Sequence, residues 1–166
     1  PGVAYIGNFT LPPKPAGKAW ITIRSSGEIP PENTRLIPRA FKLPKIESPN
    51  EQPAIAIPAG SARWRLLGVE VTTSHNLNWN ILHTFAGSRD IIIDRCYVHG
   101  TPKTRSMRGV LVEGDAIAVV NSDISDVHYD GFDSQAIGGS AGMGPYKIVN
   151  NYIEASGENV MFGGAR

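Results

Sequence analysis

The sequence predicts an all-β chain wound as a parallel β-helix, a solenoid of roughly five to six coils. Four segments share one spacing of apolar residues: Leu66 and Val71, Ile93 and Val98, Val119 and Ile124, Ile148 and Ile153, each pair five apart. Successive segments start 27, 26 and 29 residues on, and such a near-constant period marks stacked repeats. The apolar residues are largely β-branched and sit among Gly, Asn, Asp and Ser, which is strand and turn chemistry without a helical period. With 19% charged residues, 18 Gly and 13 Pro, the composition also argues against a helical bundle or coiled coil.

Eleven of the 13 prolines fall at or before Pro58, whereas 12 of the 18 glycines follow residue 86, so the two halves use different loop chemistry. Residues 1–53 read as an irregular N-terminal segment with one alternating strand, Ala19 to Arg24, and a Pro-rich excursion from Ser25 to Pro53. An excursion of that length is a covering or functional element. Residues 54–166 read as the coils of a single domain, opened by the strand Ala54 to Ile57. Second strands follow each repeat: Asn80 to Leu82, Gly109 to Val112, Ser134 to Ile137 and Asn159 to Phe162.

In a parallel solenoid each side chain stacks on its equivalent one coil later, about 4.8 Å away. Leu66, Ile93, Val119 and Ile148 then form one inward column, and Val71, Val98, Ile124 and Ile153 another. Val69, Cys96, Ser122 and Asn151 fall at the bend between them, where an inward Asn can bond neighbouring backbone. Cys96, the one cysteine, reads as a buried small hydrophobe and rules out an intrachain disulfide framework. The chain begins at Pro1 and ends on Gly163-Gly164-Ala165-Arg166 after an apolar run, as expected of part of a longer solenoid whose open ends self-associate end to end.

A formal net charge of +1 hides a split: residues 1–110 carry +7 and residues 111–166 carry −6. Because sequence order in a solenoid is position along the axis, a basic end and an acidic end are expected. No apolar run approaches the roughly 18 residues of a membrane span. The absence of a Lys/Arg-rich run, with an acidic C-terminal third, argues against nucleic acid as a partner.

Chemistry on such a fold belongs on outward columns and on the loops between strands, since stacked apolar side chains fill the inside. One outward column reads Thr72, His99, Ser125 and Glu154, and counting along the repeat places His128 beside Glu158 of the next coil. Asp126 to Gln135 holds three carboxylates and an imidazole, and the next coil adds Glu154, Glu158 and Asn159. Such carboxylates serve as an acid/base pair about a glycosidic bond, or as a Ca2+ site formed by Asp130, Asp133 and Glu154. In turns the same residue types bond their own backbone. Lys103, Arg105 and Arg108, in the basic loop from His99 to Arg108, suit the carboxylate of a uronic acid, or are solubilising turn charges. Trp64 and Trp79 read as packing or as platforms for sugar rings. His75 and His83 lack ligand spacing and read as surface or turn residues.

Trp20 to Ser26, Trp64 to Val71 and Asp90 to Gly100, extended by Tyr146 to Glu154 and Gly157 to Gly164, make the chain resemble the bacterial right-handed parallel β-helix proteins of the pectate-lyase-like superfamily. The resemblance implies right-handed coiling and a secreted or cell-envelope location. Its activities include polysaccharide lyases, glycoside hydrolases, esterases and binding or adhesive proteins. Asp130-Gly131-Phe132-Asp133 is similar to part of the polygalacturonase pattern. However, His128-Tyr129 replaces that family's Asn-Thr, and its Asp-Asp, Gly-His-Gly and Arg-x-Lys elements are missing, so only Asp130 keeps a matching place.

The expectation is a carbohydrate-active protein, a polysaccharide lyase or glycoside hydrolase acting on an acidic polysaccharide. His128 is then the proton-transfer group, with Asp130, Asp133 and Glu158 as acid or base. Lys103, Arg105, Arg108, Gln135, Glu154 and Asn159 would hold the substrate. The alternatives are a non-catalytic carbohydrate-binding or cell-surface structural solenoid, and an incomplete fragment of a larger β-helix enzyme.

Overall fold

The computed structural model describes residues 2–14 and 17–163, which contain strands and turns but no helix. Pro1, Pro15, Ala16 and the expected terminus Gly164 to Arg166 lie outside the described residues. The chain opens with β1 (Ala4–Ile6) and β2 (Phe9–Thr10), then repeats a three-strand unit. The first units are β3 (Ile21–Arg24), β4 (Lys45–Ser48) and β5 (Ile55–Ile57), then β6 (Ala62–Leu67), β7 (Glu70–Thr73) and β8 (Leu77–Thr84). Next come β9 (Arg89–Asp94), β10 (Tyr97–His99) and β11 (Arg105–Val112), then β12 (Asp115–Val120), β13 (Asp123–Val127) and β14 (Gln135–Gly139). The last unit is β15 (Tyr146–Val149), β16 (Tyr152–Ala155) and β17 (Glu158–Phe162).

Strands one unit apart pair in parallel, giving sheet A (β1-β4-β7-β10-β13-β16), sheet B (β2-β5-β8-β11-β14-β17) and sheet C (β3-β6-β9-β12-β15). The fold is a parallel β-solenoid of about four turns, with six, six and five rungs in its sheets. Sheets A and B already hold β1, β2 and β4, so the solenoid begins well before residue 54 and the segment 1–53 supplies four of its strands in addition to β5's approach.

The register realises the expected inward columns. Leu66 pairs with Ile93, Ile93 with Val119 and Val119 with Ile148, with Ile23 beneath them. Val71, Val98, Ile124 and Ile153 pair in turn on sheet A, and Ile55, Leu82, Val110, Ile137 and Val160 on sheet B. One continuous core results, in which Cys96 is fully buried and its thiol is pushed up to about 12 by desolvation. At the bend, Asn151 accepts a hydrogen bond from the Ser122 backbone N–H (2.8 Å) and donates to the Val119 carbonyl (2.8 Å).

The backbone turns one residue ahead of that bend. Gly68, Arg95, Asn121 and Asn150 have φ of 65°, 51°, 54° and 56°, so each of these coils is cornered by one left-handed residue. Asn tolerates this region, whereas Arg95 is held there by its surroundings. Asn150 donates to Asn121 Oδ1 (2.8 Å) and Asn121 donates to Asp94 Oδ1 (3.2 Å), a ladder running down the corner. Arg95 bonds the Asp94 carboxylate at 3.1 and 3.0 Å, and Arg65 reaches the same group from the preceding coil.

The Pro-rich excursion covers this corner. Its irregular part is residues 25–44, shorter than expected because β4 lies inside the expected span. The segment runs along the solenoid as a strap: Arg95 donates to the Pro30 carbonyl (2.9 Å), Asn150 to the Asn33 carbonyl (3.1 Å), and the Leu36 N–H to the Asn121 carbonyl (2.8 Å). Leu36 and Leu43 are buried beneath it. The strap also modifies the expected charge axis, because it carries Arg35 back to the acidic end, 6.0 Å above the Tyr152 ring.

Candidate functional site

The turns that lead from sheet A to sheet B differ in length. They span residues 7–8, 49–54, 74–76, 100–104, 128–134 and 156–157, and the longest, 128–134, contributes Phe132 and Asp133 to a cleft on the outer face of sheet B. Here Asn80, Arg108, Gln135 and Glu158 stack in register on β8, β11, β14 and β17. Gln135 Nε2 donates to Glu158 Oε2 at 2.8 Å. Arg108 and Gln135 line a cleft of about 250 Å³ together with Asp133 and Phe132 from the long turn, Ser140, and Met107 and Met161.

Aromatic rings continue this face. Phe132 is 61% exposed and meets Tyr129 edge-on at 5.0 Å between centroids, Trp79 lies 6.4 Å from Tyr129, and the Arg105 guanidinium sits 5.6 Å from the Tyr129 ring. Trp79, on β8, is partly exposed at the edge of this strip, whereas Trp64 is buried and donates through Nε1 to the Pro12 carbonyl (3.2 Å).

Of the ten residues expected to act, Arg108, Asp133 and Gln135 line the cleft, Glu158 is bonded to Gln135 beside it, and Arg105 lies against the Tyr129 ring. The others do not join them. His128 is not beside Glu158: its Nε2 donates to the Thr101 carbonyl of the coil below (2.9 Å), and Glu158 pairs with Gln135 instead. Counting along the repeat failed there because the turn 128–134 is longer than its counterparts. Asp130 is exposed at the tip of a turn in which the Phe132 N–H reaches the Tyr129 carbonyl (3.2 Å) and Gly131 takes φ 83°, so the Asp-Gly pair is accounted for by turn geometry. Lys103 is an exposed turn residue, Glu154 accepts from the Asp126 N–H (3.3 Å), and Asn159 Oδ1 accepts from the Ala155 N–H (3.1 Å). Among the described residues no three His, Cys, Asp or Glu side chains converge as a metal set, so Asp130, Asp133 and Glu154 do not assemble the expected Ca2+ site.

No protein-family model, curated protein or solved structure matches the chain.

Sequence reasoning missed the polar pair beside the cleft. His83, expected as a surface or turn residue, is buried: its ring stacks on Phe85 at 3.5 Å and Nε2 lies 3.0 Å from Glu113 Oε2. Ser140 donates to the other Glu113 oxygen (2.9 Å). Burial lowers the His83 pKa and outweighs the opposing pull of Glu113. The signal was the period itself, since His83 pairs with Leu111 and Glu113 follows two residues later on the same face. Taken together, the face offers ring-stacking surfaces, a cationic fork at Arg108 and Arg105, and amide and carboxylate groups for hydroxyls.

Proposed function

We propose that this solenoid binds an acidic polysaccharide along the outer face of sheet B. The observation that carries the reading is the strip of exposed Trp79 and Phe132 with half-buried Tyr129 between them, beside the Arg108-Gln135-Glu158 file. Sugar rings present flat C–H faces that stack on aromatic rings, and a uronate carboxylate matches a guanidinium fork in charge and geometry. Processing of that polymer, by elimination or hydrolysis, is the second reading. It is favoured by Asp133, which lines the cleft two residues ahead of Gln135, with Glu158 on the adjoining strand. Kinship with the bacterial pectate-lyase-like proteins, right-handed coiling and a secreted or cell-envelope location belong to the same proposal.

The test is binding to immobilised polygalacturonate, alginate and an uncharged glucan, with release of unsaturated products and reducing ends followed in parallel. Preferential retention on an acidic polymer is expected, and Arg108→Ala should weaken it about tenfold. Equal retention on the uncharged glucan, or an unchanged Arg108→Ala variant, would overturn the assignment. Product release separates the second reading from binding alone.

End-to-end association of copies is a further part of the proposal. The rung β15-β16-β17 leaves Val149, Tyr152, Val160 and Phe162 exposed, and strand edges of this kind template pairing. Sedimentation should show mass rising with concentration; a mass fixed at one chain sinks this part.

A further inference from the structure

A second pocket lies on a different face, between the strap and the outer surface of sheet A, with a volume of about 250 Å³. Its floor is polar: Lys45 from β4, Glu70 from β7, and Tyr97 and His99 from β10. Its roof is the apolar side of the strap, including Ile37, Pro38 and Phe41, together with Arg39.

The charges of the floor are already partly spent. Lys45 Nζ and His99 Nε2 both approach Glu70 Oε1, at 3.0 and 3.2 Å, while the Tyr97 ring stacks on that of His99 at 3.9 Å. Glu70 is the single carboxylate lining this pocket, and both partners meet it at Oε1. Arg39 makes no ion pair among the described residues, so the pocket retains a surplus of positive charge.

The backbone adds a second, independent observation. The Ala40 N–H bonds the Ile37 carbonyl (3.3 Å), closing a turn whose third residue, Arg39, has φ 67°. That position suits glycine, and any other residue there carries backbone strain. From this turn Arg39 lines the pocket beside Lys45 and Glu70.

We propose that this pocket is a binding site for a ring-sized organic carboxylate, its acid group held by Arg39 and Lys45 and its ring lying against Ile37, Pro38 and Phe41. Tyr97 lies on the same floor, its phenol protonated at neutral pH and its pKa pushed further up by burial. The site is independent of the sheet B cleft, with which it shares no lining residue.

The test is a two-dimensional amide NMR titration of the whole chain with glucuronate and with cyclohexanecarboxylate, each against its uncharged counterpart, glucose or cyclohexanol. Saturable shifts in residues 36–43, 70, 97 and 99 are expected with a carboxylate and not with either uncharged ring. Response to only one of the two acids supports the site and identifies the ring as sugar or hydrocarbon. Arg39→Gly, which relieves the backbone strain, should bind about tenfold more weakly while the chain stays at least as stable. The proposal is overturned by no shifts, by equal shifts with the uncharged rings, by shifts confined to sheet B, or by undiminished binding in Arg39→Gly. Because Arg39 is exposed, its removal does not threaten the fold, and His99→Gln offers a second variant on the floor.

Discussion

Asp94→Ala is expected to lower the unfolding free energy by about 3–5 kcal/mol, because it leaves the buried Arg95 guanidinium without its counter-charge. Asp94 and Arg95 are each 4% exposed, and the Asp94 carboxylate also takes Arg65 and the Asn121 amide. Removing it therefore strands two cations and the lower end of the Asn121-Asn150 ladder on which the strap lies. Burial raises the Asp94 pKa, yet the hydrogen bonds from Arg95, Arg65 and Asn121 outweigh it and hold the carboxyl below its ordinary 3.8. The unfolded chain then takes up this proton at a higher pH than the folded chain does. The stabilisation is complete above the ordinary carboxylate range and is lost as pH falls through the folded value. Glu70 contributes in the same direction, since hydrogen bonds from His99 and Lys45 outweigh its burial. Urea unfolding at neutral pH and through the acid range checks both parts. A loss under about 1 kcal/mol, the level of a surface ion pair, or an acid sensitivity unchanged by the substitution, would contradict the account.

What the sequence made legible follows from where periodicity acts. The columns of Leu66 and Val71 and their successors were readable because every inward position must be apolar at the same arc of each coil. The same period failed for His128 and Glu158, since turns between sheets A and B are free to vary in length and do so here. The inward positions on strands therefore followed the count, whereas Arg108, read as part of a loop, and Glu158, read as a turn residue beside His128, lie on β11 and β17. The strap was legible only as an excursion. Its route depends on contacts such as Leu36 to Asn121 and Asn33 to Asn150, which carry no repeating signal and no fixed separation. The pocket it roofs was invisible for the same reason: Lys45, Glu70 and His99 lie on successive rungs, but Arg39 and Phe41 arrive from outside the repeat.

A solenoid is held by contacts between neighbouring rungs, and this makes the cost of one truncation depend on its rung. Ile93→Ala should cost about 2–5 kcal/mol, towards the upper part of that range. Ile93 is fully buried, sandwiched between Leu66 and Val119 in its column. Backbone hydrogen bonds to the strands on both sides fix their separation, so the surroundings cannot collapse into the vacated volume. Ile148 occupies the same column on β15, yet it is only partly buried and pairs with Val119 on one side among the described residues. Ile148→Ala loses less transferred area and leaves an open dent rather than an enclosed cavity, so about half the cost or less is expected. Both variants should keep the parental dependence on denaturant, with the difference appearing in the midpoint. Equal losses at the two positions would mean that the β15 rung is packed as tightly as the β9 rung. The open rung could then not be the loosely held edge on which end-to-end pairing is proposed.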